Sequence, residues 1–334
     1  MQCKIVSYFN NSGTGLSVLL RLSWMAIYGM AFCAAHAQPY PSKTIRIVAA
    51  QAGGTGDITA RLIAQGLSAS FGHQVIVDNR GGSGVVAAEL VAKKSAPDGY
   101  TLLAYGSNIW LLPFLTENLP YDPIKDLAPV TISVRSPTVI VVHPSLPVNS
   151  VKGLIALAKS RPGELSYGSG GIGGAPHIAA ELFNSVAGTN IVRINYKGEG
   201  PAFIDLIGGQ IQLMFPAAGV AMPHVRAGKL RALAVASSQP SPLAPGLAPA
   251  SLSGLPGYEA GSVHVLFAPA GTPGAIIDRI NQEVVRYLNQ PEVKDRLFTA
   301  GMEPVGSSPE EALNMIRSAM AKLGKVIRDS GIKS

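Results

Sequence analysis

From Thr44 onward the apolar positions switch repeatedly between two spacings. Thr44 to Ala50 is a short β-branched run that ends in the Gly-rich segment Gln51 to Gly56. Ile58, Leu62, Ile63 and Leu67 then recur at helical spacing up to Phe71, with Asp57 as the expected N-cap and Gly72 as the stop. Val75 to Val77 reads as a second strand, Asn79 to Gly84 as a second Gly-rich loop, Val85 to Lys94 as a helix and Tyr100 to Ala104 as a third strand. Strand, loop and helix units of this length predict a parallel sheet with right-handed crossovers.

The rhythm breaks once. Leu127 to Val134 and Thr138 to Val142 are two strand-like runs separated only by Arg135 to Pro137, too few residues for a helix. After Pro144 it resumes, with Ser150 capping a helix to Lys159, a strand at Leu165 to Tyr167, the loop Gly168 to Ala175 and a helix from Pro176 to Ala187. Further strands are expected at Ile191 to Asn195, Ile211 to Phe215, Leu230 to Ala236 and Val263 to Ala268, with helices near Pro201 to Ile207 and Met222 to Ala227. Ser237 to Leu255 reads as a surface loop, and Pro273 to Asn289, Pro291 to Ala300 and Pro309 to Ser330 as closing helices. Thr138 to Val142 and Val263 to Ala268 are the expected crossings between two domains, the closing helices packing on the first. No repeat of fixed period is present.

Composition changes this picture mainly at the start. Residues 1–37 hold no acid and only Lys4 and Arg21 as cations, then the apolar run Leu22 to Cys33 and the small residues Ala35-His36-Ala37. That is a secretory signal cleaved after about Ala37, because the run is too short for the roughly 20 residues of a membrane span. Phe32 is too bulky beside Cys33 for a lipoprotein signal. Cys3 and Cys33 both fall inside the segment, so the exported chain is expected to be thiol-free, without disulfides or cysteine catalysis. The net charge is +7, of which removal of Lys4 and Arg21 takes two. The cations are scattered, so no nucleic acid is expected as partner. Charged residues are 14% and apolar residues 47% of the 334, which excludes a disordered chain.

The chemistry is mostly absence. Gly168 to Gly173 matches G-x-G-x-x-G, but no acid ends the strand Ile191 to Asn195 to hold a ribose, so a dinucleotide is disfavoured and no cofactor is expected. No G-x-S-x-G, Walker loop, H-E-x-x-H or cysteine pair is present, and His73, His143, His177, His224 and His264 are widely spaced, so neither enzyme nor metal site is read. The Gly-rich loops Gly53 to Gly56 and Gly168 to Gly174 read instead as anion cradles, bare amides at helix starts facing a carboxylate. His177 reads as a helix-end hydrogen bond. No Asp or Glu except Asp57 is expected at either loop, which argues for a carboxylate ligand without an amine.

Tyr40 to Val48, Gly53-Gly54 with Asp57, Asn79-Arg80, Ala96 to Leu102, Tyr167 to Gly170, His177, Tyr196-Lys197-Gly198 with Gly200-Pro201-Ala202, Gly208-Gly209-Gln210, Gly228 to Ala234 and Ala268 to Pro273 come in the order that resembles the Bug (TctC-like) family, periplasmic solute receptors of tripartite tricarboxylate transporters. The sequence departs from that family at Gln51-Ala52, where prolines are usual, and at Pro216, where an Asp often stands. The resemblance implies an α/β periplasmic-binding-protein fold of type II-like form, two Rossmann-like α/β domains joined by two crossing strands around a central cleft. Residues 1–37 would be the signal, 38–138 plus 259–334 the first domain and 139–258 the second. It implies a small organic carboxylate as ligand, membrane transporter subunits as partners, and a monomer. By position, the first jaw would be Gly53, Gly54, Thr55, Asp57, Ser107 and Asn108, and the second Ser169, Gly170, Gly171, Gly173 and Gly174. A sensor feeding a signalling partner and an exported Rossmann-like enzyme are the alternatives.

Overall fold

The computed structural model describes residues 40–50, 52–53, 55–80, 84–170 and 173–329. The expected signal at residues 1–37, both cysteines, Gly54 and Gly171 lie outside the described residues.

The strands form two sheets. In the first, β1 (Ile45–Ala49) lies between β2 (Val75–Asn79) and β3 (Thr101–Gly106), parallel to both. Helices α1 (Thr55–Phe71) and α2 (Val85–Lys94) make the crossovers, and the short α3 (Asn108–Leu111) follows β3. β4 (Leu127–Pro137) leads to the second sheet, which it enters as β5 (Val139–Val142). That sheet holds β6 (Ser166–Ser169), β7 (Val192–Asn195), β8 (Leu213–Met214) and β9 (Arg231–Val235) in the order β7-β6-β8-β5-β9. Its helices are α4 (Val151–Ser160), α5 (Ala175–Ala187), α6 (Glu199–Ile207) and α7 (Ala218–Arg226). The chain returns through β10 (Gly261–Pro269), runs through α8 (Gly274–Leu288) and α9 (Pro291–Thr299), pairs β11 (Glu303–Pro304) with β4, and ends in α10 (Pro309–Asp329). The first sheet therefore runs β11-β4-β10-β3-β1-β2.

Both sheets are mixed, where the sequence rhythm predicted parallel pairing. β10 is antiparallel to β3 and β4, and β5 is antiparallel to β8 and β9. β5 follows β4 directly and β10 follows β9 with no α-helix between, so neither strand continues the strand and helix repeat that produces parallel neighbours. Arg135 to Pro137 are also strand, so a single residue, Thr138, separates β4 from β5. At the return crossing, a Cβ on Gly261 would stand 2.5 Å from the Ser136 carbonyl oxygen, so only glycine lets the two crossing strands pass this closely.

Each sheet has its own apolar core. Val48, Leu103, Tyr105, Trp110 and Phe267 are buried in the first, with the Trp110 and Phe267 rings 6.0 Å apart. Tyr167, Phe183, Phe215 and Tyr258 fill the second, Phe183 and Phe215 at 5.5 Å, and the buried Tyr258 hydroxyl donates to the Ala179 carbonyl at 2.9 Å. Helix α8 packs against α1 and β4, where Tyr287 fills the space of a Cβ at Gly66. α10 packs on β4 and also on α5, so the C-terminal helix touches elements of both sheets. Among the described residues no helix is long and apolar enough to cross a membrane.

Candidate functional site

In both sheets, helices begin where parallel strands end, so α1, α2 and α3 in one sheet and α5 and α6 in the other present helix N-termini at the strands' carboxyl ends. These ends carry unpartnered amides and the positive end of the helix dipole.

Asp57 organises the first of them. Helix α1 starts at Thr55, two residues before the N-cap position expected for Asp57. The Asp57 carboxylate folds back instead, accepting from the Gly53 amide at 2.9 Å, Asn79 Nδ2 at 2.8 Å and Arg61 Nε at 2.9 Å. Asn79 Nδ2 also donates to the Ala50 carbonyl at 2.7 Å, which ties the loop to β2. Burial pushes the Asp57 carboxyl up, but the bonds from Arg61, Gly53 and Asn79 together hold it below the usual carboxylate range. Asp57 is thus an ionised brace of the loop, with its oxygens engaged.

Ser107 stands at the start of α3, and Asn108 lies against Gly84 and Gly106. The ring of His264, on β10 opposite Gly106, comes within 3.3 Å of a Cβ placed on Gly106 and 3.6 Å of one on Gly56. Both glycines make room for that imidazole. Burial lowers its pKa to about 4, so it is neutral, and its Nδ1 is sealed from solvent without a hydrogen bond. His264 therefore links the α1 loop to the end of β3.

The second group is braced by two side chains. Arg193, on β7, donates from Nε to the Ser169 hydroxyl at 2.7 Å and from Nη2 to the Gly170 carbonyl at 2.9 Å and Asn195 Oδ1 at 2.8 Å. His177, in the first turn of α5, accepts the Gly173 amide at Nδ1 over 3.0 Å, the helix-end bond expected from the sequence. Burial first, then the Arg193 charge, lower its pKa to about 4. Tyr167 donates to Glu181 Oε1 at 2.6 Å, and that oxygen lies 4.0 Å from His177 Nε2. Gly170 packs on the next helix start, where a Cβ would lie 3.3 Å from Gly198 and 3.4 Å from the Glu199 nitrogen.

The structure therefore gathers Gly53 and Asp57 with Gly56 and His264; Asn108 with Gly84 and Gly106; and Ser169, Gly170, Gly173 and Gly174 with Arg193 and His177. Thr55 begins α1 between the first loop and the helix. The φ of Gly173 is +73°, and a Cβ would meet Leu115 Cδ1 at 2.8 Å, so its backbone and that neighbour already demand glycine. An open hollow of about 740 Å³ lies along Pro113 to Leu119, the segment that carries Leu115. Outside both loops, Glu199 opens α6 beside Gly170 and sets a further acid next to the second loop. Arg193, His264, Leu115 and Glu199 were not singled out from sequence; for Glu199 the available signal was its place at the head of the helix beginning near Pro201.

A model of the "Tripartite tricarboxylate transporter family receptor" matches residues 59–332. Protein BugT of Bordetella pertussis is 35% identical over 300 residues, covering 89% of this chain and 92% of that protein. The solved R. palustris protein Rpa4515, with adipate, is 35% identical at TM-score 0.72 and covers 88% of this chain and 100% of its own. MatC of Rhodopseudomonas palustris, with bound malate, is 28% identical at TM-score 0.68 and covers 86% of this chain and 100% of its own. The periplasmic-binding-protein fold expected from the sequence is borne out by these likenesses.

Proposed function

The chain belongs to the tripartite tricarboxylate transporter receptor family, and from that premise we propose that it is a periplasmic solute receptor that captures a small carboxylate for a membrane transporter. The observation that carries this reading is the set of helix N-termini at the carboxyl ends of the strands in both sheets. A carboxylate held there meets amide donors and helix dipoles without an arginine clamp. Support comes from the relatives seen with adipate and malate, both small dicarboxylates.

In this reading, residues 38–138 plus 259–334 form one lobe and 139–258 the other, with the crossings at Thr138 and near Gly261 as the hinge. Closure brings the loop from Gly53 to Asp57 and the start of α3 at Ser107 and Asn108 toward the loop from Ser169 to Gly174. Enclosure then strengthens the amide bonds to the ligand as water leaves. The signal is removed after Ala37, and the mature chain acts as a monomer that binds without changing its ligand.

The test is a thermal-shift screen of the mature chain against mono-, di- and tricarboxylates and aromatic acids. A ligand at about one hundred times its Kd adds about 2.7 kcal/mol, a rise of several degrees. A stabilising response confined to cationic or neutral solutes would defeat the proposal.

A further inference from the structure

Helix α6 turns its buried residues Ala202, Phe203 and Leu206 toward the second sheet. They join Val139, Val141, Ile211 and Met214 in one apolar cluster. Positions 199, 202, 203 and 206 share a face at helical spacing, so the inward stripe of α6 begins with a carboxylate, Glu199. It stands at the cleft end of the helix, its amide nitrogen 3.4 Å from a Cβ placed on Gly170.

Glu199 is half-buried, and no described residue gives its carboxylate a hydrogen bond or an ion pair. Arg193, the cation that braces the loop, is engaged with Ser169, Gly170 and Asn195. Burial alone raises the Glu199 carboxyl above its ordinary range. A carboxylate on an inward stripe without a partner is costly unless something completes it. The ordinary account, a first-turn acid stabilising the helix dipole, asks only for an exposed position, whereas this one is half-buried.

We propose that Glu199 is the selectivity residue of the cleft, accepting a hydrogen bond from an ammonium or hydroxyl group that the ligand carries beside its carboxylate. This rests on the carboxylate-receptor reading and narrows it. The ligand's carboxylate meets the amides of the loops, and the donor meets Glu199. A ligand without the donor leaves Glu199 unpaired and is bound more weakly.

The experiment is calorimetry on the mature chain with three matched series, propionate, lactate and alanine; succinate, malate and aspartate; glutarate, 2-hydroxyglutarate and glutamate. Members of a series differ only in carrying hydrogen, hydroxyl or ammonium at the second carbon. In the series that binds, the wild type should prefer a donor-bearing member by about tenfold or more, the value of one charge-assisted hydrogen bond. Glu199→Ala should cut that preference to about threefold or less by weakening the donor-bearing member. Glu199→Gln separates the two donors, since its amide oxygen still accepts from a hydroxyl but lacks the charge that holds an ammonium. The proposal fails if the plain member binds tightest, or if Glu199→Ala keeps the preference. It also fails if the variant weakens all members equally while lowering the melting temperature, the mark of a purely helical role. Binding of none of the nine would tell against the carboxylate reading itself, and this inference would fall with it.

Discussion

Acidification should release the second loop through His177. Its Nδ1 accepts the Gly173 amide at 3.0 Å, so the native loop requires the unprotonated ring. Protonation would set N–H against N–H and add a charge that burial and Arg193 both oppose. The folded-state pKa is about 4, against an ordinary histidine value of 6.5. Between those values the unfolded chain binds more protons than the native one, so stability falls as pH falls from about 6.5 and levels off below about 4. At 4% exposure little solvent screens the ring, and a shift of this size corresponds to about 3 kcal/mol. The check is denaturant unfolding of wild type and His177→Gln at several pH values from 7 to 4, with the Kd of an identified carboxylate measured on the same samples. Glutamine offers an oxygen to the Gly173 amide but does not titrate. The wild type should lose about 3 kcal/mol more than the variant across that window, with weakened binding at its acid end. Parallel pH profiles for the two proteins would refute the reasoning.

Asp57→Ala removes the acceptor of three hydrogen bonds and should cost about 2–3 kcal/mol, lowering the melting temperature by several degrees and weakening ligand binding through a loosened first loop; an unchanged melt would show that the loop holds without this brace. Gly173→Ala places a side chain in the left-handed region and against Leu115, which should cost about 1–3 kcal/mol. A double-mutant cycle with Leu115→Ala should show coupling of at least about 0.5 kcal/mol, and strict additivity would mean that the two do not touch. Gly66→Ala drives a methyl into Tyr287 where α1 crosses α8, for an expected loss of about 1–3 kcal/mol by chemical denaturation, and a neutral or stabilising result would contradict that close crossing.

The elements were legible where their causes are local. Apolar spacing located α1 and α8, and Ser150 is the N-cap it was expected to be, accepting the Gly153 amide at 3.1 Å. The break in rhythm near Arg135 marked the passage to the second sheet, although the strand itself continues to Pro137. Pairing direction was not legible, because β10 meets β3 and β4 only after more than a hundred intervening residues, and spacing along the chain carries no record of that encounter. The same holds for the braces. Arg193 reaches the Ser169 loop from a neighbouring strand 24 residues on, and His264 reaches the α1 loop from the returning strand. Asp57 and His177 were legible as residues because each lies four positions from the glycine amide it holds, within one loop and helix start.

That division explains why this sequence announces its fold more plainly than its ligand. The polar side chains near the loops mostly face their own chain. Asp57 holds Gly53, His177 holds Gly173, and Arg193 holds Ser169 and Gly170. What they leave for a ligand is the backbone amide, which every residue but proline possesses and no residue type encodes. Recognition built on amides accepts carboxylates as a class, so discrimination among them falls to side chains that are not already committed. Glu199 is a carboxylate near these loops on which no such commitment is seen among the described residues. Exchanging it should therefore change which carboxylate is preferred, whereas exchanging Asp57, His177 or Arg193 should weaken every carboxylate together by loosening the loops. Calorimetry on these four variants with one donor-bearing and one plain ligand separates the two behaviours, and a uniform loss at Glu199 would place it among the braces.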